Sequence, residues 1–196
     1  LKGKRGTIVK VSIKRRGIDE LLDFEIVRDK IPLYSVDISY MINEKTGYIK
    51  VHTFSKNTYS EFMQASNKLK AMGMKNLVVD LRGNGGGIME SAIRMADEFL
   101  SPGKLIVYTE GNNRRKREYK ASAQNFLKNI QVAILIDEWS ASASEIFAGA
   151  IQDNDQGTII GRRSFGKGLV QEPFYFKDGS ELRLTVARYY TPTGRS

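Results

Sequence analysis

The chain has 196 residues, 41% hydrophobic and 27% charged, with a formal net charge of +9 and no cysteine. This composition is typical of a folded protein with one well-filled core, and it excludes disulfides, thiol catalysis and a thiolate zinc site within the chain. No apolar run approaches the length of a membrane span. Because the first residue is not methionine, we interpret the sequence as a fragment of a longer protein.

Residues 1–31 predict a small β unit. Gly6–Arg15 alternates apolar and polar residues as a half-buried strand does, and Phe24–Val27 predicts a second strand after an intervening turn. The two segments therefore predict a β-hairpin. We place a domain boundary at Pro32 and assign 32–196 to a second domain.

From Pro32 onward, strand patterns alternate with helix patterns. Strands are predicted at 36–41, 47–54, 76–81, 105–109, 131–136, 158–160, 169–176 and 182–187, and helices at 58–72, 88–100 and 142–153. Thr58 with Glu61 matches the capping box that opens a helix. The alternation predicts an α/β layered core.

The positive charge is concentrated in the first sixteen residues and in Arg114–Arg117, which predicts a loop tip. A solvated basic surface is the main interpretation, and attraction to an anionic partner is the alternative. Neither block is interleaved with the aromatic residues of a nucleic-acid stacking surface, so nucleic-acid binding is the least favoured function class.

The single histidine, His52, lies within a strand pattern and is interpreted as structural. A histidine-rich metal site is excluded, and a Ser-His-Asp triad would have to use His52. A serine nucleophile in this chain would therefore use a lysine or a carboxylate as its base.

Ser142 follows a predicted buried strand and begins a predicted helix. The N–H groups and the positive dipole end of the first helical turn stabilise developing negative charge, which favours a nucleophile there. The same segment, Ser142 to Glu145, also matches a plain capping box, and taken alone the pattern favours the cap.

Lys167 lies between Gly166 and Gly168, and Gln171 follows four residues later. A lysine base must be neutral, and burial can lower a lysine pKa from about 10.4 toward ~7–8. Taken alone, the pattern favours an exposed lysine in a glycine turn.

The segment Asp80–Gly87 contains four glycines after a buried strand. Glycines permit positive φ and close approach of the backbone to a ligand, so consecutive N–H groups could form an oxyanion hole. A flexible connection and a phosphate-binding loop are the alternatives, although no Gly-Lys-Ser or Gly-Lys-Thr of a Walker loop follows.

In combination, these segments resemble the carboxyl-terminal processing peptidases, the tail-specific proteases of peptidase family S41. The resemblance rests on Ser-Ala-Ser-Ala-Ser-Glu at 140–145, Phe-Gly-Lys-Gly-Leu-Val-Gln at 165–171 and the glycine segment at 80–87. Lys167 follows Ser142 by 25 residues, the spacing of the family's serine and lysine. The resemblance implies that Ser142 is the nucleophile, that Lys167 is the general base and that Gln171 orients Lys167. It also implies that the N–H groups of Ala143 and Gly86 are the oxyanion donors and that Asp153 is a structural or auxiliary residue.

The resemblance also implies a layered α/β catalytic core of the ClpP/crotonase-like type, preceded at 1–31 by a truncated PDZ domain. The implied function is a serine endopeptidase that cleaves proteins near apolar, unstructured C-terminal tails without a cofactor or metal. An exported, periplasmic protein is implied, while membrane association and oligomeric state stay open. The alternative is a catalytically silent scaffold of the same fold that binds tail peptides.

Overall fold

The computed structural model describes residues 1–31, 33–123 and 125–196, so the predicted boundary at Pro32 lies outside the described residues. The chain divides into two compact units, Leu1–Leu33 and Tyr34–Ser196. Among the described residues, no helix combines the length and the apolar character needed to cross a bilayer.

The first unit is built on an antiparallel hairpin. Strands β1 (Ile8–Ile13) and β2 (Leu22–Val27) pair so that Ile8 lies opposite Val27. Gly17, between the strands, has φ +83, a conformation that glycine adopts without steric cost. The predicted hairpin is confirmed.

The second unit contains two sheets and three helices within its described residues. In chain order the elements are β3 (Ile38–Met41), β4 (Thr46–Lys50), α1 (Thr58–Ala71), β5 (Asn76–Asp80), α2 (Met89–Asp97), β6 (Leu105–Gly111), β7 (Arg114–Lys120), β8 (Gln131–Ile136), α3 (Ala143–Asp153), β9 (Gly157–Gly161), β10 (Leu169–Tyr175) and β11 (Glu181–Tyr190). The predicted mixed α/β fold is confirmed.

A five-stranded sheet has the order β3-β4-β5-β8-β9, in which β4, β5, β8 and β9 are parallel and β3 is antiparallel to β4. A four-stranded antiparallel sheet has the order β10-β11-β6-β7. Because β5, β8 and β9 are parallel neighbours, the loops that follow them leave the same edge of the sheet side by side. Those three loops contain the glycine segment, Ser142 and Lys167.

Three buried aromatic side chains pack together in the core: Phe62 on α1, Phe99 just after α2 and Phe147 on α3. The ring of Phe99 lies 6.3 Å from that of Phe62 on α1 and 6.0 Å from that of Phe147 on α3. All three side chains are almost completely buried. Packing at native density makes such an interior rigid, so α3 and Ser142 before it have a well-defined position.

The predicted capping box at α1 is wrong. Asn57 occupies the N-cap position, and the Thr58 hydroxyl accepts a hydrogen bond from Ser55 N–H at 2.7 Å. The Glu61 carboxylate instead accepts the N–H groups of Ser35 (2.7 Å) and Val36 (2.9 Å). Thr58 is therefore engaged in the turn before the helix, and Glu61 in contacts with residues distant in sequence.

The predicted loop tip at Arg114–Arg117 is also wrong. These residues begin β7, the edge strand of the antiparallel sheet, and the turn lies before Arg114. The positive charges are compensated by neighbours: Arg114 pairs with Glu172, and Lys116 pairs with Glu118. Charged side chains on an edge strand also discourage pairing with another strand.

Candidate active site

Ser142 lies on a sharp turn between β8 and α3. Its backbone has φ +56 and ψ −113, outside the conformations that non-glycine residues ordinarily adopt. Such strain persists only where the surrounding structure enforces it, and it is concentrated at functional sites. The turn leaves the Ser142 side chain partly accessible at the start of a helix.

The neighbouring serines Ser140 and Ser144 are fully buried. The Ser140 hydroxyl donates to the Leu81 carbonyl at 2.8 Å, and the Ser144 hydroxyl donates to the Asn84 carbonyl at 2.9 Å. Both side chains therefore attach the serine turn to the glycine loop. Ser142 is the one of the three that lines the groove described below.

The glycine loop packs directly against the serine turn at Gly86. This residue has φ +93, and a Cβ built on it would lie 2.5 Å from the Ala141 carbonyl oxygen and 2.9 Å from the Ala143 nitrogen. Contacts that short cannot be tolerated against backbone atoms. Glycine is therefore required at position 86, and the predicted oxyanion donors Gly86 and Ala143 are adjacent.

The Gly86 N–H is already engaged within its own loop. It donates to Oδ1 of buried Asn84 at 2.9 Å, while the Asn84 amide donates to the Val51 carbonyl at 2.8 Å. Ala143, the first residue of α3, is fully buried. For Gly86 to bind an oxyanion, its N–H would have to exchange the Asn84 oxygen for the substrate.

Asp137 attaches the glycine loop to the end of β8. Its carboxylate accepts the N–H groups of Gly83 at 2.9 Å and Trp139 at 3.0 Å. Burial by itself would raise the pKa of Asp137, but these hydrogen bonds favour the charged form and hold the pKa below its usual value. Asp137 thus acts as an ionised acceptor for both loops.

The Lys167 loop is bound to α3 through Glu145. The Glu145 carboxylate accepts hydrogen bonds from Ser142 N–H (2.7 Å), Lys167 N–H (2.9 Å), Gly166 N–H (2.7 Å) and the Ser164 hydroxyl (2.8 Å). The Ser142 contact is one half of the predicted capping box. The other contacts extend from the helix to the lysine loop, so a single carboxylate joins the backbones of Ser142 and Lys167.

Ser142, Lys167, Gln171 and Gly86 line one groove of about 710 Å³. Gln171 lies on β10 directly after a bulge at Val170. Among the described side chains, no hydrogen bond joins Lys167 Nζ to Ser142 Oγ or to Gln171. Catalytic hydrogen bonds are often long in a free enzyme and tighten when substrate binds.

Asp153 lies outside this groove, at the far end of α3. Its carboxylate accepts the N–H (3.0 Å) and the hydroxyl (2.7 Å) of Thr193 and pairs with Arg195. Burial by itself would raise the pKa of Asp153, but hydrogen bonds from Thr193 and Arg195 lower it. Ten residues of α3 lie between Ser142 and Asp153, about 15 Å of helix. The contacts of Asp153 are instead with the segment after β11.

His52 does not line the groove either, and its Nε2 lies 2.6 Å from Asp37 Oδ1. In the part of the chain that the structure describes, no three His, Asp or Glu side chains converge as metal ligands do.

The sequence interpretation missed the roles of Asn84, Glu145 and Tyr189. Asn84 stood within the glycine motif, and Glu145 was interpreted only as a helix cap. Tyr189 had no local signal, because its contacts are with residues distant in the chain: its hydroxyl lies 3.2 Å from the Ser142 carbonyl oxygen and 3.3 Å from Glu145 Oε2.

The sequence of this chain is similar to those of known proteins. The sequence model of "Peptidase family S41" matches residues 45–196. A carboxy-terminal-processing protease of Bartonella bacilliformis is 39% identical over 201 residues, which cover 100% of this chain and 46% of that protein. The carboxy-terminal processing protease CtpA of Bacillus subtilis is 38% identical over 194 residues, covering 99% of this chain and 41% of that protein.

Among solved structures, a photosystem II D1 C-terminal processing protease matches with a TM-score of 0.73 and 30% identity, covering 98% of this chain and 53% of that one. A putative S41 protease from Bacteroides fragilis matches with a TM-score of 0.72 at 17% identity, covering 94% of this chain and 54% of that one, a likeness of fold alone. This chain spans less than half the length of the two curated relatives.

Proposed function

The chain belongs to peptidase family S41, and on this premise we propose that it is the catalytic part of a serine peptidase in which Ser142 is the nucleophile and Lys167 the general base. The observation that supports the proposal most strongly is that both side chains and Gln171 line one groove. The strained backbone of Ser142 and the burial of Ser140 and Ser144 support the choice of serine.

In the proposed reaction, the neutral amine of Lys167 takes the proton of Ser142, and the serine oxygen attacks a peptide carbonyl carbon. The N–H groups of Ala143 and Gly86 hold the oxyanion, with Gly86 releasing Asn84 Oδ1 as it does so. Lys167 then protonates the leaving amine. Lys167 then takes a proton from water, which attacks the acyl carbon. As the ester bond breaks, Lys167 returns that proton to the serine oxygen, releasing the second product and free Ser142.

Gln171 is proposed to accept a hydrogen bond from the Lys167 amine and so to orient it. Asp153 is proposed to be structural rather than auxiliary in catalysis, because its carboxylate is engaged with Thr193 and Arg195. A substitution at Asp153 would therefore act on stability before it acted on chemistry.

The groove suggests the substrate class. Its apolar lining includes Ile88, Met89, Ile146 and Val170, which suit apolar side chains of an extended peptide. Two curated relatives are named for carboxy-terminal processing. We therefore propose protein substrates that are cleaved near apolar, unstructured C-terminal tails.

The remaining proposals concern the type of fold, the identity of the first unit and the location of the protein. The core is proposed to be of the ClpP/crotonase-like type, and the compact unit at Leu1–Leu33 is proposed to be the last part of a PDZ domain. An exported, periplasmic location is proposed for the protein, as the resemblance to the family implies.

Cleavage of an unfolded reporter with an apolar C-terminal tail tests the function, measured in the full-length protein with its Ser142→Ala, Lys167→Ala and Ser144→Ala variants. We expect Ser142→Ala and Lys167→Ala to lose activity by roughly 10³-fold or more while still folding. Ser144→Ala should keep turnover and lose some stability, since its hydroxyl binds Asn84.

Full activity of Lys167→Ala would refute the dyad. An active Ser142→Ala with an inactive Ser144→Ala would move the nucleophile to Ser144. Binding of tail peptides without any turnover by the unmodified protein would favour the silent scaffold instead.

A further inference from the structure

Tyr189 is a buried tyrosine on β11, with only 4% of its surface exposed. Its hydroxyl lies 3.2 Å from the Ser142 carbonyl oxygen and 3.3 Å from Glu145 Oε2, and it donates to the Lys167 carbonyl. Its backbone N–H donates to the Gly168 carbonyl at 3.0 Å. One residue therefore contacts the serine turn, the first turn of α3 and the lysine loop.

The backbones of Ser142 and Lys167 share the same two partners. The N–H groups of both residues donate to Glu145 Oε2, at 2.7 Å and 2.9 Å. The carbonyl oxygens of both face the Tyr189 hydroxyl. Each residue is therefore bound through both its N–H and its carbonyl group, and the two backbones are held beside each other through Glu145 and Tyr189.

The chemistry of the hydroxyl suits this arrangement. All three of its neighbours are acceptors, so the phenol must keep its proton and act as a donor. Burial, followed by the nearby Glu145 carboxylate, raises the pKa of Tyr189 above its usual value, which keeps the hydroxyl protonated. A phenylalanine would fill the same volume but could not donate.

We propose that Tyr189 is a positioning residue of the peptidase site: its hydroxyl holds the Lys167 segment against the serine turn, so that the lysine amine can reach the serine oxygen. The inference rests on the proposed function. Tyr189 touches no reacting atom and acts through Lys167.

The test compares Tyr189→Phe with Tyr190→Phe in the full-length protein. Tyr190 is the adjacent residue of β11, and its ring stacks on Tyr108 with centroids 4.9 Å apart. We expect Tyr189→Phe to lower kcat by about 10-fold or more with KM within about twofold, since misplacing a catalytic group mainly affects the transition state. Tyr190→Phe should leave both constants unchanged. Rates are measured at a temperature well below the melting midpoint of each variant and are expressed per mole of folded protein.

A double-mutant cycle separates positioning from a loss of stability. Tyr189→Phe and Tyr190→Phe are each combined with Lys167→Ala. The hydrolysis of an activated p-nitrophenyl ester is then measured for the single and the double variants. If Tyr189 acts through Lys167, Tyr189→Phe has no further effect once the lysine is absent. An equal loss in both backgrounds, or a kcat within about twofold of the unmodified protein, would overturn the proposal.

The two proposals fail differently. If Lys167→Ala is fully active, the proposed function itself is wrong. If Lys167→Ala is inactive and Tyr189→Phe has unmodified kcat, only the role of Tyr189 is wrong.

Discussion

At the scale of single residues, Glu145 shows how one carboxylate can organise a site. It accepts four hydrogen bonds, one from the serine turn and three from the lysine loop. A carboxylate has two oxygens that only accept, whereas a glutamine amide has one oxygen and a donating NH₂ group. Both the negative charge of Glu145 and its two acceptor oxygens therefore stabilise these contacts.

Glu145→Gln replaces one of the two accepting oxygens by a donating NH₂ group. We therefore expect some N–H groups of the lysine loop to lose their acceptor and to face this NH₂ group instead. The free energy of unfolding should fall by about 1–3 kcal/mol, and kcat should fall by about 10-fold or more. Urea denaturation and the reporter cleavage assay measure the two effects. Glu138→Gln is the matched control, because Glu138 is exposed and pairs with Arg162 at the surface. Equal behaviour of the two variants would contradict the role of Glu145.

At the scale of elements, three loops that follow neighbouring parallel strands build the site. The glycine loop follows β5, the serine turn follows β8 and the lysine loop follows β9. The close approach of Gly86 to Ala141 and Ala143 locks the first two loops together. The tolerance for a side chain should therefore differ sharply between adjacent glycines of the same loop.

Gly86→Ala is expected to lower activity by about 100-fold or more, because the Cβ of the alanine would overlap backbone atoms at a position with φ +93. Gly85→Ala is the matched variant: a Cβ there meets no atom within 4 Å, and φ is not positive. It should keep activity and gain up to about 1 kcal/mol of stability, since alanine restricts the unfolded chain. Thermal melting and reporter cleavage check both. Equal loss in the two variants would refute the packing argument.

At the scale of the whole molecule, Asp80 at the end of β5 ties together two strands of the parallel sheet. Its side chain is 2% exposed and accepts hydrogen bonds from Tyr48 Oη at 2.7 Å, Lys50 Nζ at 3.2 Å and Arg82 Nη2 at 2.7 Å. Burial by itself would raise the pKa of Asp80, but hydrogen bonds from Arg82 and Tyr48 outweigh it and hold the pKa well below its usual range. Burial and the Asp80 carboxylate in turn raise the pKa of Tyr48 to about 12.

This arrangement predicts a dependence of stability on pH. Because the folded-state pKa of Asp80 lies below the unfolded value of about 3.9, its stabilisation is complete above that pH and is lost as the pH falls below it. Asp80→Asn should lower the free energy of unfolding by about 2 kcal/mol or more at pH 7, and the difference should shrink by pH 3. Urea denaturation at both pH values measures it, with the exposed Asp155→Asn as control. A difference that is constant with pH would refute this account.

The sequence alone predicted most elements, and it singled out three segments that the structure brings to one groove. Strand β8 and helix α3 follow from unbroken local patterns, and Ser142, Lys167 and Gln171 follow from the resemblance to the family. The errors arose where a local motif competed with other contacts, some of them with residues distant in sequence. Thr58 and Glu61 matched a helix cap but bind Ser55, Ser35 and Val36 instead, and Arg114–Arg117 matched a loop but forms an edge strand.

Only the tertiary structure decided how these segments meet. It buried Ser140 and Ser144 and left Ser142 in the groove, engaged the Gly86 N–H with Asn84, and directed Asp153 to the C-terminal segment. It also gave Glu145 and Tyr189 their common contacts with the serine turn and the lysine loop. Periodicity and motifs report the neighbours of a residue along the chain, whereas these contacts depend on the order β5-β8-β9, which is set by how the strands pair across the sheet.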